Sequence, residues 1–392
     1  MQVITIKNRV SGFSLVELMV ALGISVLLLT GVVALFVSSR VSYETTERLS
    51  RIQENGRYAL EQIASDVRAT SFNACARPNT ENTTRAIDFK LNATIEPFPP
   101  VEGGEDEEEE NLVDIRWDFV KPLLGFNATG VEWDPGLDTD RLAFDPTPRP
   151  IGDVLVLRIP RREVRAVKVV TAQENGAQPF EVEDIEPMPI KPSDTVMVSD
   201  CEARAFFQVT NDPATGTIEH VAVEPSTSAI GDRPGNVSND LLHPFDAGAT
   251  IVPVDTVIYY IARSTIQPEN PPLGAPERLS LYRKTGGAEK SDEIAEGIER
   301  LEVLYGIDSE AELDARVDSY VSAEDVEDWN NVMTVQIALL SRAPDEYGTD
   351  IDKQTYVLLN TPEQTVQAGP YNDRAQRKVF TATLAVRNQV ID

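Results

Sequence analysis

Histidine is almost missing from this chain. Its 392 residues contain two, His220 and His243, and they do not form a zinc spacing. Cysteine is equally scarce: Cys75 and Cys201 stand alone, with no CxxC pair. Serine-hydrolase elbows, Walker loops, HExxH sequences and glycine-rich nucleotide loops are absent. With 64 Asp and Glu residues, no single glycosidase-like carboxylate pair carries information. The expectation is a protein that is not an enzyme and holds no cofactor. Positive charge is short as well, with 35 Lys and Arg and a net charge of −29. So acidic a surface repels nucleic acid and anionic lipid heads, so nucleic acid is not an expected partner. The adjacent Arg161 and Arg162 read as solvated decoration at a strand end.

Two further absences shape the N-terminal part. Between Leu18 and Val37 there is no charge, a run of 20 residues. At a helical rise of ~1.5 Å per residue such a run spans ~30 Å, about one hydrocarbon core. From Phe13 to Arg77 there is no proline. One helix from about Ser14 to Ala69 is therefore expected. Its first half, 14–37, is apolar enough to cross a membrane, and Gly23 and Gly31 are its only weak points. Its second half is amphipathic, with Leu49, Ile52, Leu60, Ile63 and Val67 recurring at helical spacing between charged residues. Lys7 and Arg9 precede the apolar run and would hold the N-terminus in the cytoplasm. A cleaved secretory signal would have a shorter apolar core and a small-residue cleavage site at its end. A plain anchor fits the length but leaves Glu17 unexplained. An acid within a span costs ~2.5–3.5 kcal/mol at the centre, less near an end, and usually marks function.

Beyond about Ile87 the periodicity changes to β. Runs such as "DVLVLRI", "VRAVKVV", "TVMVS", "AFFQVT", "IEHVAVE", "DTVIYYIAR", "IERLEVLYGI" and "VMTVQIALLSR" are punctuated by Pro, Gly and Asp. The fold class expected is α+β: a long N-terminal helix packed on a mainly antiparallel β-sheet body. Residues 310–330 read as loop and short helix. With the N-terminus inside, residues beyond about Arg40 lie outside the cytoplasmic membrane, where thiols oxidise. A Cys75–Cys201 disulfide is expected, with two buried free thiols as the alternative. Seven acids crowd residues 102–110, "EGGEDEEEE", and read as a self-repelling surface loop. No metal is expected, the nearest calcium candidates being the alternating Asp308, Glu310, Glu312 and Asp314, which lack the glycine and closing Glu of an EF-hand. Trp117, Trp133 and Trp329 are either core or platforms for sugars.

The segment "GFSLVELMVAL" resembles the processing motif of type IV pilins: a short basic leader, Gly, Phe, and an acid five positions into the mature chain. The resemblance implies a leader 1–12 cut by a prepilin peptidase between Gly12 and Phe13, N-methylation of Phe13, a helix 13–70 and a body 71–392. Cleavage would create an amine at Phe13, and Glu17 would neutralise such an amine on a neighbouring subunit, since a paired charge is tolerated where a lone one is costly. Losing Lys7 and Arg9 would take the charge from −29 to −31. "VSDCEARAFFQVT", "GIERLEVLYGID", "YVSAEDVEDWNNVMTVQIALLSR" and "FTATLAVRN" look like the PilW family of minor pilins. That family implies a priming and tip complex supporting adhesion and twitching motility. Its partners would be PilX-type minor pilins, a PilY-type adhesin and the major pilin. The protein would sit in the inner membrane, single-pass with its N-terminus cytoplasmic, and then at the pilus tip. The competing readings are a J-type pseudopilin of type II secretion and a membrane-anchored periplasmic binding protein.

Overall fold

The computed structural model describes residues 14–70 and 114–386, apart from 120, 163, 201, 229–230, 268–276, 287, 289, 309–315, 345 and 347–349. The chain divides into two units, Met1–Arg51 and Ile52–Asp392. The boundary falls inside a single helix, α1 (Leu15–Ala69). As the missing prolines imply, α1 is unbroken. It includes a stretch long and apolar enough to cross a membrane, none of it buried. Glu44, Glu47 and Glu61 pair with Arg40, Arg51 and Arg57 one helical turn away. Exposed pairs of this kind add a few tenths of a kcal/mol each.

From Ile52 onward one side of α1 is buried: Ile52, Gly56, Ala59, Ile63, Ala64 and Val67. Leu60 is half-buried and Leu49 is exposed. The packed stripe is thus narrower and smaller in side chain than the large apolar residues alone suggest. Gly56 shows why. A Cβ there would fall 2.2 Å from the Phe380 ring, so only glycine lets helix and strand approach this closely.

The body holds two main sheets. The first runs β13 (Asp292–Glu296), β12 (Leu279–Thr285), β11 (Thr250–Arg263), β3 (Val154–Pro160), β1 (Leu123–Ala128) and β2 (Trp133–Asp134). At one end of β11 the partners change to β4 (Val167–Lys168) and β6 (Thr195–Ser199), and β6 continues to β7 (Arg204–Gln208). The second sheet has the order β15 (Ser319–Val321), β14 (Ile298–Ile307), β16 (Val332–Arg342) and β19 (Arg377–Ala385). Ribbons β5/β8 (Phe180–Glu181, Thr217–Ile218), β9/β10 (Ser226–Ser228, Gly231–Arg233) and β17/β18 (Tyr356–Asn360, Thr365–Ala368) complete it. Among the described residues every strand pairing is antiparallel, and the fold class is α+β.

β11 reads as a continuous apolar run because it is central and buried over most of its 14 residues. By contrast, "VRAVKVV" and "IEHVAVE" form only two-residue strands, with isolated bridges at Val169 and Val223. Val167, Val169 and Ile218 pack in a separate cluster around Phe180, Phe207 and Phe245, where burial without a long ladder satisfies them, whereas Val170, Val221 and Val223 are exposed. Within 310–330 the described residues contain a short strand, β15, and two single 3₁₀ turns, Ala323–Asp325 and Trp329–Asn331. The main core lies where α1 meets the two sheets, with Tyr259, Ile261, Leu301 and Leu339 all fully buried. Asp153 ties the sheets together: it accepts the Ala128 N–H of β1 and the Val303 N–H of β14, both at 2.8 Å. Burial, reinforced by the charge of Glu302, pushes the Asp153 carboxyl well above the ordinary carboxylate range.

Candidate functional site

At the start of α1, the Ser14 N–H donates to Glu17 Oε2 at 2.9 Å, and the Glu17 N–H donates to Ser14 Oγ at 3.2 Å. This reciprocal pair is a capping box, satisfying two backbone donors that a helix start leaves open. The Ser-x-x-Glu signal is present in the sequence, but the acid attracts attention as a lone charge. Glu17 is exposed, it sits where the helix dipole favours an anion, and its other oxygen, Oε1, is bonded to no described residue. The N–H it accepts lies one residue from the amine that cleavage before Phe13 would create. Gly12 and Phe13 themselves lie outside the described residues.

The end of α1 is seated by a charge. Asp66 is fully buried and gathers three donors: Tyr259 Oη at 2.5 Å, Arg283 Nε at 3.0 Å and the guanidinium of Arg162. Two cations and a hydroxyl around one carboxylate supply what a buried charge needs. Burial, with the charge of Asp66 behind it, raises the Tyr259 phenol far above its usual range, so it stays a donor. Neighbouring Arg161 turns to the other side, bonding Asp255 at 3.0 and 3.1 Å and Asp194 at 3.0 Å. The expectation of solvated decoration is therefore corrected. Both arginines hold elements together, because acids distant in sequence converge on the end of β3.

A second charged knot lies at the start of β19. Arg377, its side chain 1 % exposed, bonds Glu299 through Nε and Nη2, Asp352 through Nη1, and Asp373 through both Nη1 and Nη2. The Tyr371 ring covers the guanidinium, 3.8 Å from its carbon. Burial pushes the Asp373 carboxyl up, but its bonds from Arg377 and the Ala375 N–H hold it below the ordinary value. That contribution to stability is complete above the unfolded carboxylate pKa of ~4 and is lost as pH falls through the depressed folded value. Beside the knot is an open groove of about 960 Å³, with Arg149–Glu277 and Arg374–Glu346 pairs on its walls. Its charges pair with one another, so the lining selects no single ligand chemistry. Arg377→Met should leave three carboxylates with only Arg342 beside Glu299 and Asp373 to offset them, and cost about 3–5 kcal/mol. Arg377→Lys, with three donors instead of five, should recover only part of that. Urea denaturation of the detergent-solubilised chain measures both, and a loss under ~1 kcal/mol in the Met variant would contradict the knot's role.

Two of the three tryptophans are core residues, so they are not sugar platforms. Trp133 is buried and donates to the Gly152 carbonyl at 3.1 Å, and Trp329 is buried edge-on against Tyr305. Trp117 is half-buried against Phe119. Asp308 is buried, and its N–H donates to the Asn331 carbonyl at 3.0 Å. Glu310, Glu312 and Asp314 lie outside the described residues, as do Cys75, Cys201 and the acidic loop 102–110. Among the described residues no three His, Cys, Asp or Glu side chains are grouped to hold a metal ion. Asp66 and Arg377 escape a reading of the sequence because nothing local announces their partners. A lone acid on the apolar face of the helix was the available hint for Asp66.

Residues 258–388 match the family described as type IV pilus-assembly protein W, and residues 7–33 match the prokaryotic N-terminal methylation motif. The first match begins inside β11 and includes the whole second sheet. No curated protein and no solved structure matches the chain.

Proposed function

We propose that this chain is a minor pilin of a type IV pilus, a structural subunit that primes assembly and sits in few copies at the tip. A single observation carries the reading: an exposed apolar helix opening on Glu17 and a body bearing the assembly-protein match occur in one chain. In this reading residues 1–12 are a leader, Lys7 and Arg9 keep it in the cytoplasm, and the inner membrane holds the helix until assembly. The mature helix begins at Phe13, and the body 71–392 faces other subunits. A charge near −31 disfavours side-by-side repetition along a shaft, whereas at a tip that repulsion arises once. PilX-type minor pilins, a PilY-type adhesin and the major pilin are the partners it would meet there, in support of adhesion and twitching. Intact-mass measurement of protein from native membranes is the test. The expected mature chain starts at N-methylated Phe13, and a mature chain that still contains Lys7 would sink the assignment.

A further inference from the structure

The sheet edges of this protein are not alike. On the first sheet, edge strand β13 carries Asp292, Glu293 and Glu296, and β2 is two residues long. The far end at β7 is closed by Asn236, which bonds both the N–H and the carbonyl of Gln208. On the second sheet β15 has three residues. Charge, shortness and covering are the usual ways of blunting an edge against unwanted pairing. Among the described residues β19 has charge only at its first two positions and neither of the other devices. It has nine residues, its ladder to β16 runs from Arg342↔Arg377 to Thr334↔Ala385 without a bulge, and beyond Lys378 it is uncharged.

The register shows which backbone groups are spare. Ala343 N–H donates to the Gln376 carbonyl and Val386 N–H to the Met333 carbonyl, so the even-numbered residues of β19 bond to β16. In an antiparallel ladder the alternate residues then point their N–H and C=O groups outward. These are Val379, Thr381, Thr383 and Ala385, with Arg377 at the knot. No described strand pairs with them. On one face of the strand the side chains of Thr381, Thr383 and Ala385 are exposed as well, while Phe380, Ala382 and Leu384 on the other face pack toward the core.

We infer that the outer edge of β19 is a strand-acceptor site, filled in the assembly by an extended, uncharged, β-branched strand from a neighbouring pilin-type subunit of different sequence. The inference rests on the pilin reading for the class of partner. Main-chain bonds to the outward groups supply affinity, and the threonines favour small or β-branched cross-strand neighbours. A second copy is the wrong occupant, because it would bring another −29 charges to the same edge. Within β19 the only ionisable residues are Arg377, whose charge the knot already neutralises, and Lys378, so from Val379 onward the edge suits an uncharged strand.

Photo-crosslinking in cells producing the full chain tests this. A benzophenone amino acid is placed at Thr381 or Thr383, with controls at Val131, which is 85 % exposed, and at Leu22 in the apolar helix. The expected result is an adduct from both β19 positions, but not from Val131, to a different protein with its own prepilin-type N-terminus. Thr381→Pro removes an outward N–H while leaving the β16 ladder intact. It should cut the Thr383 adduct at least ~10-fold, and Thr383→Lys should do the same to the Thr381 adduct, whereas Thr381→Val should not. An adduct to a second copy, or within the chain itself, overturns the inference. So does silence at Thr381 and Thr383 when the Leu22 probe labels filament subunits, and in that case the pilin reading stands. Silence at Leu22 as well removes the pilin reading and this inference with it.

Discussion

Glu17→Gln is expected to lower the number of surface filaments about a hundredfold while leaving processing and membrane insertion at normal levels. Glutamine still reaches back to the Ser14 N–H, so the capping box survives and only the charge is lost. What changes is the partner: a terminal amine on the adjoining subunit would be left unpaired in an apolar setting. An unpaired charge there costs ~2.5–3.5 kcal/mol on insertion scales, or roughly 70–300-fold in an equilibrium. Ser14→Ala makes the complementary change, giving up the cap at about 1 kcal/mol and keeping the carboxylate. Filament counts by electron microscopy, with immunoblots of processed protein, separate the two. If Ser14→Ala abolishes filaments and Glu17→Gln does not, the residue matters for its cap and the charge-pairing role is wrong.

Asp66→Ala should be as damaging as Arg377→Met, at about 3–5 kcal/mol. It strands Arg162, Arg283 and the Tyr259 hydroxyl around a cavity in the core. Since whole domains are stable by only ~5–15 kcal/mol, the variant should accumulate poorly. Tyr259→Phe removes one donor and should cost about 1 kcal/mol. Because the two side chains share one bond, the double variant should lose clearly less than the sum. Denaturant titration of the four proteins in detergent gives the cycle. Strict additivity would mean that the Tyr259–Asp66 bond contributes nothing.

The helix and most strands were legible in the sequence because each is announced locally. Missing proline predicts an unbroken α1, and alternating or continuous apolar runs predict β3, β11, β14 and β16. The apolar residues of 164–170 and 218–224 misled for two reasons. Val167, Val169 and Ile218 record burial, which does not require a ladder, while Val170, Val221 and Val223 are exposed and record neither. The candidate sites were legible only in part. Glu17 stands out, but its bond to Ser14 is a matter of helix geometry. Arg162, Arg377 and their acids are ordinary surface-type residues until chain topology brings them together. Gly56 could not be read at all, since its importance lies in the Phe380 ring, 324 positions later.

That separation sets a timetable. The seated part of α1 is made early, but Arg162 follows Asp66 by 96 residues, Tyr259 by 193 and Arg283 by 217, and Ser341 follows Ile52 by 289. At ~5–20 residues per second, the last of these reaches the helix roughly 15–60 s after the helix itself has emerged. Over that interval the stripe from Ile52 to Val67 is covered piece by piece, and the strand that closes over Gly56 is the last of the described strands. A nascent chain interrupted anywhere before Phe380 therefore exposes an unseated helix face. The seat of α1 is thus completed only when the last described strand is in place.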